Sequence, residues 1–188
     1  MTLDQLIDSL PQWAKDLRLN FSSLVRNNTE MTPQQLWGTV ATCAIVTRSA
    51  PLTRAVLEAA AAQLSPQALE ATKVAAAIMS MNNIFYRFHH LSSNERYSAM
   101  PARLRMSALR GHGVEEVDFE LWCLAASAVK GCGKCVDSHE HVVREKGASE
   151  ELIMASIRVA SVIHGLGVAV DTMQALGEGA VELPTVQA

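Results

Sequence analysis

Cys132 and Cys135 stand three positions apart, with His139 four residues further on, so the chain offers two thiols and a base at helical spacing. A helix turns about 100° per residue, which on a continuous helix puts Cys135 about 60° and His139 about 20° from the direction of Cys132. The three side chains then share one face. Thiolate is the reactive form of cysteine, and a helix N-terminus or nearby cation lowers the pKa that governs it. Gly131 is placed to break a preceding helix just before Cys132. The pattern points to a dithiol redox centre. Cys43 and Cys123 each lie alone in apolar stretches, ATCAIV and LWCLAASAV, and read as small buried residues.

Other chemistries use the same residue types. Structural zinc could draw on Cys132, Cys135, His139 and His141, but on a continuous helix His141 points about 180° from Cys132, and one short helix rarely supplies four tetrahedral ligands. Two incidental core thiols beside a satisfied histidine are a further reading. A thioredoxin-like host requires strands around Cys-x-x-Cys, and no segment here alternates at period two. Lys134 is either a cation that favours the thiolate or a solvated surface residue. His141 reads as exposed or as a local hydrogen-bond partner. His89, His90, His112 and His164 show no ligand spacing, and Met79 and Met81 read as core filling.

The elements that must position these groups are helices, and the fold class expected is all-α, a bundle with two similar halves. With 188 residues, 49% of them hydrophobic, the chain can bury one substantial core, so a single domain over 1–188 is expected. Thr2 with Gln5 and Thr32 with Gln35 fit the capping box, and Thr32-Pro33 and Ser65-Pro66 place proline at a first helical position. Asp118 reads as the cap of the helix carrying Glu120. Gly147 ends one helix, and Ser149 with Glu150 and Glu151 starts the next. The first helical unit spans about 1–90 and the connection, with Gly111 and Gly113, about 91–117; the second unit spans about 118–188. Gln35-Leu36-Trp37 aligns with Glu120-Leu121-Trp122 at an offset of 85, which suggests a duplicated unit. At that offset Glu120, Cys132, Cys135 and His139 correspond to Gln35, Thr47, Ala50 and Arg54, so the chemistry belongs to the second copy alone.

The formal charge of −3 and scattered Lys and Arg give no basic stripe for nucleic acid. The N-terminal segment is acidic where a signal peptide is basic. No run approaches the roughly 20 apolar residues of a membrane span. A soluble, cytoplasmic protein with no membrane partner is expected.

The run FELWCLAASAVKGCGKCVDSHEHVVREKG, Phe119 to Gly147, resembles the active-site segment of the alkylhydroperoxidase D (AhpD) family, within the carboxymuconolactone decarboxylase-like superfamily. The stretches Gln35 to Thr39, Ala77 to Arg87 and Leu104 to Met106 resemble it too. The resemblance implies an all-helical subunit, assembled as a homotrimer, that reduces hydroperoxides and regenerates an alkyl hydroperoxide reductase peroxiredoxin. It implies no bound cofactor, with electrons arriving from the lipoyl group of a 2-oxoacid dehydrogenase component. Carried over by position, Cys135 is oxidised to sulfenic acid, Cys132 closes the disulfide, and Glu120 and His139 are proton-relay residues. The position of Lys134 is often histidine in the family. The residues and the resemblance differ on one point: the helix terminus favours Cys132 as the more acidic thiol, whereas the family makes Cys135 the peroxidatic one. His139, one turn after Cys135, and Glu120 from the preceding helix could override the dipole. Because exchange passes through a mixed disulfide, Cys132 is expected to be the more accessible sulfur. The rival readings are a dithiol electron-transfer adaptor with little direct peroxidase activity, a redox-sensing or zinc-stabilised helical scaffold, and a decarboxylase, whose chemistry gives no reason for a vicinal dithiol.

Overall fold

Thr2 and Thr32 both close the capping boxes that their spacing predicts: each hydroxyl accepts from the glutamine N–H three residues on, and that glutamine side chain accepts from the threonine N–H. The computed structural model describes residues 1–178, so the last ten positions of the expected second unit lie outside the described residues. Among the described residues the chain is eight α-helices with no strand. They are α1 (Leu3–Asp8), α2 (Lys15–Arg26), α3 (Pro33–Thr47), α4 (Ala50–Ala61), α5 (Pro66–Leu91), α6 (Glu116–Lys130), α7 (Gly133–Glu145) and α8 (Glu150–Ala175). The all-α expectation holds. Between α5 and α6 the chain makes two short 3-10 turns, Glu95–Ala99 and Ser107–Leu109.

The core forms where α3 packs on α5, α6 and α8, and α6 in turn packs on α5 and α8. α7 lies against α5 and α6, α4 against α3, α1 against α4, and α2 against α8. Close approach of α3 to α6 depends on Gly38, whose missing side chain leaves room for the indole of the fully buried Trp122.

The internal repeat is real in the helices, but its register differs from the one read from the tryptophans. α3 and α6 each have 15 residues, α5 and α8 each have 26. Their starts pair Pro33 with Glu116 and Ala50 with Gly133, 83 positions apart, and Pro66 with Glu150, 84 apart. Arg48 and Gly131, also 83 apart, share the left-handed conformation with φ 70° and 68°. In this register Glu120, Cys132, Cys135 and His139 correspond to Trp37, Ser49, Leu52 and Val56, replacing the pairing with Gln35, Thr47, Ala50 and Arg54. The first copy again lacks all four groups.

Two further expectations are corrected. Asp118 is not a cap: α6 starts at Glu116 with Glu115 before it, and the Asp118 carboxylate is buried and accepts hydrogen bonds from the side-chain amides of Gln34 and Gln35 at 2.7 and 2.9 Å. It ties the start of α6 to the start of α3. Also, α8 is long and apolar enough to cross a membrane, with an 18-residue window of mean hydropathy 1.7. Half of that window is buried in the bundle, where α8 packs on α2, α3 and α6.

Candidate active site

The turn that presents the dithiol is built by the end of α6. Gly131 takes φ 68°, and the N–H of Cys132 reaches back to the carbonyl of Ser127 at 3.2 Å, closing the helix with the wrapped turn that glycine permits. Two cations hold the neighbouring helix ends: Lys130 Nζ donates to the carbonyl of Val46 at 2.7 Å, and Arg87 Nη1 to that of Lys130 at 2.6 Å. Burial and the charges of Arg48 and Arg87 hold the Lys130 ammonium below its usual pKa.

Cys132 is the cap residue of α7, with extended backbone (φ −101°, ψ 92°), rather than a member of that helix. The helical-wheel angle read for it therefore does not apply. It meets Cys135 all the same, because the first turn of α7 folds back over its cap: the two are joined as a disulfide, with Cα atoms 5.3 Å apart. The expected order of accessibility is reversed. Cys132 is 0% exposed and Cys135 6%, and Cys135 lines a cavity of about 370 Å³ with Asn82, Tyr86, Met106, Leu109, Lys134, Ser138 and His139. Cys132, at the cap position, is sealed, while Cys135, in the first turn of α7, is buried but borders the cavity.

Glu120 on α6 and His139 on α7 meet at 2.6 Å, Oε2 to Nδ1, and both are mostly buried. Cys135 and His139 lie one turn apart on α7, as i and i+4 residues do. The other ring nitrogen of His139, Nε2, lies 3.1 Å from Sδ of Met79 on α5. Met79 is core filling, as expected, and is 1% exposed; that it also contacts the histidine was not legible. The remaining cavity wall was missed as well. Met79, Asn82 and Tyr86 follow a three-and-four spacing on one face of α5, and a polar Asn82 in an otherwise apolar stripe is the signal that could have marked it.

Lys134 is exposed at the rim, its ammonium 5.9 Å from the centre of the Tyr86 ring. His141 is exposed and pairs with Glu145 one turn on. Among the described residues no group of three or more His, Cys, Asp or Glu is arranged to hold a metal ion. Cys43 and Cys123 are free and fully buried, as their apolar surroundings predict. Burial raises both thiols well above the ordinary cysteine range, and for Cys123 the charge of Glu120 adds to it.

Residues 95–178 match the carboxymuconolactone decarboxylase family. Among individual relatives, a protein of Acidobacterium capsulatum named alkyl hydroperoxide reductase AhpD is 66% identical over 171 residues, which covers 91% of this chain and 93% of the relative. Proteins with the same name from Koribacter versatilis and Solibacter usitatus are 57% and 58% identical, covering 95% and 91% of this chain and 92% and 96% of their own lengths. Identity of this extent, together with the all-helical fold, places the chain in the AhpD family of the carboxymuconolactone decarboxylase-like superfamily.

Proposed function

We propose that this protein is a thiol peroxidase of the alkyl hydroperoxide reductase D type, cycling between a Cys132/Cys135 dithiol and its disulfide. The reading rests on one juxtaposition: a vicinal cysteine pair whose second member lines a cavity together with His139, which is itself paired with Glu120. The names of the relatives support the activity class, which is that of a peroxide-reducing oxidoreductase.

Cys135 attacks the terminal oxygen of the hydroperoxide as thiolate, the O–O bond breaks, and a proton relayed through Glu120 and His139 reaches the leaving alkoxide. Cys132 then attacks the sulfenic sulfur, releasing water and forming the disulfide. Dihydrolipoyl thiols, carried on a 2-oxoacid dehydrogenase component, reopen it by exchange. Since Cys135 is the sulfur that faces the cavity, it is the one an incoming thiolate meets, and Cys132 departs. This reconciles the two thiols with their settings, because a thiolate at the N-terminal cap of α7 is stabilised by the helix dipole and so leaves readily. No resident cofactor is required. A peroxiredoxin partner, a homotrimeric assembly and a cytoplasmic location complete the proposal; a disulfide that must be reopened each turnover suits a reducing compartment.

The test is single-turnover oxidation of the reduced protein by a small alkyl hydroperoxide, followed by reduction with dihydrolipoamide, each with and without a peroxiredoxin. Loss of two thiols per chain without the peroxiredoxin, reversed by dihydrolipoamide, supports the enzyme. Exchange with dihydrolipoamide but no reaction with peroxide identifies an electron-transfer adaptor instead.

A further inference from the structure

The two nitrogens of His139 face different partners, and only one of these partners is ionisable. Nδ1 is 2.6 Å from the Glu120 carboxyl, across which a proton can sit on either side. Nε2 is 3.1 Å from Met79 Sδ. A thioether has lone pairs and no proton, so it can only accept. A bare Nε2 would set lone pair against lone pair at this distance, whereas an Nε2–H finds an acceptor. Met79 is buried in the core, and the Ser127 hydroxyl, 3.8 Å from the sulfur, donates to the neighbouring Asn83 at 3.1 Å.

From this geometry we infer that Met79 is a positioning residue for the redox cycle: its thioether keeps Nε2 of His139 protonated and fixed while Cys132 and Cys135 are joined. The Glu120–His139 pair therefore meets the incoming reductant as an acid. This rests on the dithiol cycle proposed above and assigns the pair its role in the reductive half. A dihydrolipoyl thiolate forms a bond to Cys135 Sγ while the Cys132–Cys135 bond breaks, its electrons leaving on Cys132. The second dihydrolipoyl sulfur then closes the lipoyl disulfide and expels Cys135 as thiolate. The Nε2–H leaves Met79 Sδ for that thiolate; one of the two protons shed by dihydrolipoyl replaces it on Nε2, and the other goes to the Cys132 thiolate. Two S–H protons leave the reductant, two appear on the cysteines, and the histidine ends as it began.

Two measurements on the oxidised protein decide this. ¹⁵N NMR of labelled histidine should place Nε2 of His139 in the protonated range at neutral pH. Met79→Leu, which keeps the side-chain volume and removes the acceptor, should move that signal toward the unprotonated range and slow reduction by dihydrolipoamide about tenfold. An unprotonated Nε2 in the unsubstituted protein overturns the inference, and because that measurement needs no variant, it stands whether or not Met79→Leu folds. A Met79→Leu protein with an unmoved signal overturns it too, even if the rate falls, since Met79 would then act through packing alone. Should dihydrolipoamide fail to reduce the unsubstituted protein, the proposed cycle fails, while the Nε2 signal still reports on Met79.

Discussion

At the scale of single residues the chain divides its four cysteines by environment. Cys43 and Cys123 are sealed in the core with raised pKa, so neither is available as thiolate at neutral pH. We expect a thiol-specific reagent to titrate two groups in the native reduced protein and all four after denaturation; three or four in the native state would contradict the burial. Within the reactive pair, Cys135 borders the cavity and Cys132 does not, so brief alkylation of the reduced protein followed by peptide mass analysis should find Cys135 modified first. Cys135→Ser is expected to abolish peroxide turnover with the helical content intact. Glu120→Gln and His139→Gln leave both thiols in place and remove the proposed relay, whose general acid–base contribution would be typically about 10²–10⁴-fold. A fall of less than threefold in single-turnover rate would take these two residues out of the proton path.

At the scale of helices, the close crossing of α3 and α6 positions Glu120, and Gly38 permits that crossing. A methyl group at Gly38 would enter the space of the Trp122 indole, so Gly38→Ala should destabilise by about 1–3 kcal/mol, the usual cost of overpacking, and lower the melting temperature. An unchanged melting curve would mean that the indole turns aside without cost. The helices themselves were legible because their signals are local: threonine with glutamine three residues on, proline at the first turn, glycine where the chain reverses. What escaped was tertiary. The tryptophans at 37 and 122 are alike in type but not in setting, one partly and the other fully buried, and aligning them shifted the repeat by two positions. Asp118 has the composition of a cap, yet its carboxylate serves two glutamines that lie more than 80 positions earlier. The dithiol, its base and the carboxylate could be named from spacing and resemblance, whereas Met79 joins the site only because α5 packs across α7, sixty positions from His139.

For the whole molecule, α5 connects the site to the outside. Its inner face carries Met79, Asn82 and Tyr86, while Ile84, Phe88 and Leu91, spaced as one helical stripe, are exposed, and the Phe88 ring meets that of Tyr97 at 5.2 Å. Met100 adds a further exposed apolar side chain. Isolated surface apolar residues need no account, but a contiguous stripe of this kind is the usual mark of a surface that another chain covers. A second copy of this chain is the occupant proposed here, in keeping with the homotrimer that the AhpD resemblance implies. Phe88→Glu places a charge in the middle of the stripe, where burial against another subunit would cost several kcal/mol unless the charge is paired. The expected result is a fall of about threefold in molar mass by sedimentation, from trimer to monomer, with helical content retained. A substituted protein that keeps its full mass would mean that subunits meet on another face; an unsubstituted protein that sediments as a monomer would leave the stripe to a different partner.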